Sequence, residues 1–469
     1  MIIMLSCIGS RILTSIFYIE DIDSLRFALS IYEYDLTRLQ PHFPGYPIFV
    51  FFAKCLYTIT GSMGISFSII GGLSIFIIIF FLLKLNEISP LSIEGLFLTF
   101  IVFFNPLLWL MSNRYMPDLF GLGLAIAILY FFINYEKDNR FIYIAYFMSG
   151  ILSGVRLSYL PLLIIPFFLL IKRHNQRIYL LLTFFVGCLV WLIPMIWITG
   201  MKNLWIEGYN HTVGHFMDYG GTAFTNNDWT SRLLGLVESI WADGLGGYWF
   251  QRSWQTSILS ILLILLIIIS VRVLIIEWNS QDVFKMIISC VLVYTIWILF
   301  SQNIIYKSRH ILPVLIPFFI LLTYGLKSFS KKYVSFFTCI IISFCILLFN
   351  ISITLVGQHR NPTAIAQLKE QLIEKERFST VISTPLINYY MKASGVNKRF
   401  INIKDQKEID SLSNEEDINN VILIGNFKTM FEESFLVVPD SIFYHNPYVN
   451  RMWSKIETFI INNKDQVNK

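Results

Sequence analysis

Glu20, Asp21 and Asp23 follow directly on an apolar N-terminal run. A carboxylate just past a helix end, at a membrane surface, can act as a general base beside a lipid-borne substrate. The same loop continues through Tyr34-Asp35 to Gln40-Pro41-His42-Phe43-Pro44-Gly45-Tyr46-Pro47, a rigid turn because proline locks φ and glycine allows positive φ. Catalysis and a purely structural solvated turn both remain open for this loop. Asp118 follows Asn113-Arg114-Tyr115-Met116-Pro117 at a helix start, where an aspartate serves either as a cap or as a second reactive carboxylate. Arg114, Arg156, Lys307, Arg309 and His310 supply cations, and Arg156 sits among apolar neighbours in Gly154-Val155-Arg156-Leu157-Ser158. Guanidinium groups in such places hold phosphate, or else pair with Asp23 and Asp118 as structural ions.

Further along, Glu207, His211, His215 and Asp218 share one loop, with the two histidines at i and i+4 on one helical face. That spacing suits some zinc sites, but Gly208 and Gly214 weaken the helix and no HExxH is present, so metal is not expected. Substrate hydrogen bonding or structure are the alternatives. Trp205, Trp229, Trp241, Trp249 and Trp254 crowd the same region, fit either to stack on sugar rings or to form an interfacial aromatic belt. There is no GxxxxGK[ST], no strand-borne GxGxxG and no GxSxG, which argues against ATP-driven transport and nucleotide-sugar chemistry. No cofactor is expected.

These residues need elements to hold them, and composition says which. Of 469 residues 55% are hydrophobic and 14% charged, with a mean hydropathy of +0.62. Soluble domains carry about 25% charged residues, so an ordinary soluble enzyme is excluded. Forty-two Phe, 23 Tyr and 11 Trp exclude a disordered chain. A net charge of +5 in such a chain reports orientation rather than nucleic-acid binding. The six cysteines lie in apolar segments without CxxC spacing and read as small core residues, with no disulfide frame.

Runs near the roughly 20 residues a bilayer needs predict about eleven spans: 1–19, 65–83, 90–111, 118–134, 141–155, 157–171, 178–198, 256–276, 283–300, 310–326 and 333–353. The first has no charged n-region, carries Arg11 and lacks a cleavage site, so it reads as a helix that stays. The most basic stretches, 172–177 and 327–332, fall on one side; setting them in the cytoplasm puts the N-terminus inside and the segment after 353 outside. Residues 47–60 are apolar but short and carry Lys54, so they are expected along the outer interface. Regions 20–60, 199–255 and 354–469 then project outward, and the cations named above gather at that outer face. In the last region Thr363–Glu376 reads as helix, and Thr380–Ser383 and Val421–Ile424 as strands. A small α/β domain is expected there.

Taken together, the acidic loop, the PHFPGYP segment, Pro117-Asp118, Gly154-Val155-Arg156 and Arg309-His310-Ile311-Leu312-Pro313 resemble, in that order, the GT-C class of polytopic glycosyltransferases. The likeness is to the protein O-mannosyltransferase and lipid A aminoarabinose transferase branch (family 39-like), over about residues 1–350. It implies a helical membrane domain over 1–353, beside the soluble extracytoplasmic domain that composition and topology give over 354–469. It implies transfer of a hexosyl- or mannosyl-like sugar from a polyprenyl-phosphate donor to an acceptor hydroxyl outside, with inversion. It implies Asp23 as general base, since Asp23-Ser24-Leu25-Arg26-Phe27-Ala28 fits the family's aspartate before an amphipathic helix, with Asp21 as fallback and Asp118 as the second acidic position. Substrate contacts are expected from His42, Tyr46, Arg114, Arg156, His211, His215, Lys307, Arg309 and His310. The competing class is a flippase for lipid-linked sugars, which inverted repeats or helices broken at the midplane would favour; no repeat is visible.

The orientation is directly testable. A reporter that fluoresces only in the cytoplasm, fused after Lys469, should stay dark in cells; a bright fusion would reverse the topology and with it the outer placement of every site residue.

Overall fold

The computed structural model describes residues 1–225, 228–328, 334–375, 378–404, 421–432 and 435–463. Two compact units are present: residues 1–16 with 29–357, and residues 17–28 with 358–469.

The first unit is helical. Its elements are α1 (Ile2–Leu13), α2 (Ile22–Tyr32, whose first residues belong to the second unit), α3 (Pro47–Thr60), α4 (Met63–Leu85), α5 (Ile93–Phe103), α6 (Pro106–Asn113), α7 (Asp118–Ile133) and α8 (Asn139–Arg156). There follow α9 (Ile164–Arg173), α10 (Arg177–Thr199), α11 (Met201–Val213), α12 (Trp229–Glu238), α13 (Trp254–Glu277), α14 (Asp282–Ser301), α15 (Ile316–Tyr324) and α16 (Val334–His359). Among the described residues six helical runs are long and apolar enough to cross a membrane, or up to seven if the α5–α6 pair, bent by 53°, is one span. The polytopic helical fold expected from sequence is present. Ile2–Leu13, Pro47–Thr60, Asp118–Ile133 and Ser308–Tyr324 are apolar but shorter than a full crossing. The run Asn139–Arg173 is not a single straight rod. The Tyr146 hydroxyl donates to the Phe167 carbonyl at 2.5 Å and the two rings lie 4.6 Å apart, so the chain folds back at Arg156 into two antiparallel arms.

Small residues and buried guanidiniums shape this unit. In α4, a Cβ at Gly71 would strike the Ser112 carbonyl and one at Gly72 would lie 2.7 Å from the Cys7 carbonyl, so only glycine lets α6 and α1 approach. Arg11, fully buried, donates to the Phe103 carbonyl at 2.6 Å and lies over the rings of Phe103 and Trp109. It thus satisfies a carbonyl that the α5–α6 break leaves without a helical partner. Asn105 caps α6 by accepting from the Leu108 N–H and donates to the Gly244 carbonyl. Cys7 and Cys290 are core residues as expected, but Cys55 and Cys339 are exposed on α3 and α16. Apolarity marks a lipid-facing surface as readily as a core, so the sequence could not separate the two. The basic stretch 327–332 lies beyond residue 328 outside the described residues.

In the second unit, α17 (Ala364–Glu374) and α18 (Pro385–Ala393) accompany a five-stranded sheet in the order β2-β1-β3-β5-β4. Here β1 is Thr380–Ser383, β2 Arg399–Asn402, β3 Val421–Ile424, β4 Phe435–Tyr444 and β5 Lys455–Asn463. Strands β1–β2 and β1–β3 pair in parallel, β3–β5 and β4–β5 antiparallel, with Val421 opposite Ile461. Every residue of β1 and β3, both inner strands of the mixed sheet, is buried, including Thr380 and Ser383. The helix expected over Thr363–Glu376 runs from Ala364 to Glu374, and Glu376 lies outside the described residues.

The α8–α10 crossing gives a stability test. A Cβ at Gly187 would strike the Phe147 carbonyl and one at Gly150 the Phe184 carbonyl, whereas Gly9 faces open space. Gly187→Ala should cost about 1–3 kcal/mol through overpacking against backbone, and Gly9→Ala should not destabilise. Thermal melts of the detergent-purified protein compare the two, and equal midpoints would refute the close crossing.

Candidate active site

Asp118 opens α7 and is almost wholly buried, its Oδ1 lying 2.8 Å from Arg156 Nη2 and 3.7 Å from Arg309 Nε. One carboxylate oxygen is therefore set against two buried guanidiniums that arrive from different elements. Arg156 ends α8 at the fold-back, and its close approach to α7 depends on Gly121. A Cβ there would lie 2.7 Å from the Arg156 Cβ. Arg309 comes from the helical turn Ser308–Leu315, with its Nη1 3.1 Å from the Met116 sulfur. Arg156 Nε is buried and makes no hydrogen bond among the described residues. Two tyrosines complete the wall. The Tyr159 ring lies 5.9 Å from the Arg156 guanidinium carbon and edge-on to Tyr294, whose hydroxyl donates to the His310 carbonyl at 2.9 Å.

The Pro- and Gly-rich turn delivers a fourth contact. Gly45 has φ +84°, and a side chain there would collide with the Tyr34 hydroxyl. The turn leads into α3 through Tyr46, whose hydroxyl accepts from Arg156 Nη1 at 3.1 Å and lies 3.2 Å from His42 Nε2. From there an imidazole row continues: His42 stacks on His211 at 5.5 Å and His211 on His215 at 6.3 Å. His215 Nε2 lies 2.7 Å from the Ser301 carbonyl, so the stable tautomer carries its hydrogen there. Among the described residues no group of three or more His, Cys, Asp or Glu side chains could hold a metal ion.

In the second unit, Asp21 caps α2. Its Oδ1 accepts from the Ser24 N–H at 2.8 Å and its backbone carbonyl from the Leu25 N–H. Asp23 stands in the first turn of α2, buried, 3.8 Å from Arg26 one turn on. Glu20 is fully buried against His359 at 3.2 Å.

Of the residues singled out by sequence, the fold of the first unit brings together Asp118, Arg156, Arg309, Tyr46, His42, His211 and His215. Arg114 is buried, with its Nη1 3.7 Å from the Met111 sulfur. Lys307 precedes the turn carrying Arg309, and His310 enters through its backbone. Asp21 and Asp23 are placed by the second unit. Sequence reasoning missed Tyr159, Tyr294 and Gly121. Gly121 stands three residues beyond Asp118 on α7, a spacing that puts the two on one helical face. Tyr159 follows Arg156 across the fold-back, where that spacing says nothing. Tyr294 carried no local signal.

Burial holds His215 below the ordinary imidazole range, with the nearby Lys307 charge acting the same way. The folded state then binds fewer protons than the unfolded one. The folded protein should therefore lose stability as pH falls below about 6.5, the unfolded value. His215→Gln should flatten the decline in melting temperature between about pH 7.5 and 5.5; an unchanged slope would remove His215 from that role.

No family model matches the chain, and no curated relative does. Solved structures do. ArnT from Cupriavidus metallidurans bound to undecaprenyl phosphate matches at 10% identity with a TM-score of 0.56, over 97% of this chain and 96% of that one. The apo form of the same protein matches at 10% identity and TM-score 0.53, over 97% of each chain. The likeness covers the helical unit and the small α/β unit alike, and it follows that this chain has the ArnT fold along nearly its whole length.

Proposed function

We propose that this protein transfers a sugar from a polyprenyl-phosphate donor to a hydroxyl of an acceptor outside the cytoplasm, as a multi-pass enzyme of the cell membrane. The observation that carries the reading is the ArnT fold, seen in a relative that binds undecaprenyl phosphate, in a chain that also buries two guanidiniums around Asp118. Arg156 and Arg309 hold the donor phosphate, and Asp118 orients both. The Asp23 carboxylate accepts the acceptor's hydroxyl proton while the oxygen attacks the anomeric carbon. The bond from that carbon to the phosphate oxygen breaks, its electron pair leaves with the lipid phosphate, and the arginines offset the developing charge. One displacement of this kind inverts the anomeric centre. His42, Tyr46, His211 and His215 serve substrate binding.

Undecaprenyl phosphate binding by the full-length protein, followed by tryptophan fluorescence, and mass analysis of cell-envelope glycans in a deletion strain complemented with each variant, test this together. Arg156→Ala should weaken undecaprenyl phosphate binding about ten- to a hundredfold, the range for a charge-assisted contact. Asp23→Asn should keep binding yet lose at least about a hundredfold in product, as loss of a general base does. If Asp21→Asn is the inactive variant and Asp23→Asn active, the base is misassigned. If the purified protein consumes no donor but moves it across vesicles, the protein is a flippase.

A further inference from the structure

Glu20 and Asp21 are consecutive carboxylates, both buried. Two such charges side by side are costly unless each oxygen finds a donor. Two of the four oxygens, one on each carboxylate, are met by a single amide, 430 and 429 residues further along the chain. Asn450 Nδ2 lies 2.9 Å from Glu20 Oε1 and 3.1 Å from Asp21 Oδ2, so its two hydrogens go to two different carboxylates.

The orientation of that amide is dictated by its surroundings. Asn450 Oδ1 accepts from the Met452 N–H at 2.9 Å, which leaves only the NH₂ to face the acids. The backbone beneath it is tied as well. His445 Nδ1 accepts from the Ala364 N–H at 3.0 Å, so the ring hydrogen sits on Nε2 and donates to the Asn450 carbonyl at 2.8 Å. The remaining oxygens are also occupied: Glu20 Oε2 faces His359, and Asp21 Oδ1 caps α2. Asp23 is two residues beyond that cap, in the first turn of α2. Whatever fixes Asp21 therefore fixes the start of α2 and the direction in which Asp23 projects.

We propose that Asn450 is a positioning residue for Asp23, acting through Glu20 and Asp21, so that the C-terminal unit sets the geometry of proton transfer. This rests on the sugar-transfer reading above, but its first test does not.

Asn450→Asp keeps size and shape while replacing both donors with acceptors. Hydrogen–deuterium exchange of the full-length protein in detergent should show amides of residues 18–28 exchanging at least about tenfold faster in N450D, the scale of lost hydrogen bonds to charged groups. Peptides covering β1, β3 and β5 should be unchanged. In the complemented deletion strain N450D should make at least about tenfold less glycan product, with undecaprenyl phosphate binding retained, a loss in turnover rather than in donor affinity. The double variant E20Q/N450D, which restores one donor–acceptor pair with the roles exchanged, should recover part of both. Unchanged exchange in 18–28 would overturn the proposal. So would faster exchange through the whole unit, which would make Asn450 a general fold residue, or a loosened segment with undiminished product. If Asp23→Asn and Asp21→Asn are both fully active, the sugar-transfer reading fails instead, and exchange still decides whether Asn450 holds the segment.

Discussion

The helical unit depends on one shared charge. A carboxylate inside an apolar bundle is tolerated only when paired and hydrogen-bonded, and Asp118 is paired twice, with Arg156 and Arg309. Removing one member of a buried pair typically costs about 3–5 kcal/mol, because the partner charge is left behind. The backbone around the cluster is shaped to that end. The chain reverses at Arg156, Gly121 lets α7 come against the reversal, and the turn Ser308–Leu315 carries Arg309 in. The strained entry to α3 at Gly45 and Tyr46 sets a phenol on the same guanidinium.

Other buried arginines show what a purely structural guanidinium looks like here. Arg11 donates to the Phe103 carbonyl, and Arg232 donates to the Gly221, Leu299 and Gln302 carbonyls. Both act as caps for backbone oxygens left open where helices break or end. Arg156 does not follow that pattern: it meets the Asp118 carboxylate and the Tyr46 phenol. A guanidinium that caps carbonyls spends its planar fork on the fold. Arg156, set against a carboxylate oxygen and a phenol with its Nε unbonded among the described residues, keeps a donor for an anion.

In the second unit the sheet acts as a frame for a loop. Strands β4 and β5 form the long antiparallel pair, and the residues joining them include His445 and Asn450. The His445 N–H donates to the Ser454 carbonyl, closing the base of that loop. Tyr390 on α18 donates to the Ile19 carbonyl, and Thr363 to the Glu20 carbonyl. The segment 17–28 is thus held by its backbone as well as by its carboxylates, and a small α/β unit is enough to hold it.

Hydropathy and spacing are local quantities, and what they determine was legible. The membrane class, most helix positions, the strands Thr380–Ser383 and Val421–Ile424, and the roster of charged residues out of place in apolar surroundings all followed from them. The length of individual helices did not, because the bend between α5 and α6 depends on a guanidinium from α1 and an asparagine bonded to Gly244. Which cation meets which acid was equally closed to sequence: Asp118 pairs with residues 38 and 191 positions away. The same holds for Asn450, an unremarked residue in a polar stretch until the fold sets it between Glu20 and Asp21. Burial makes these pairings matter, and burial is decided only when distant parts of the chain close on one another.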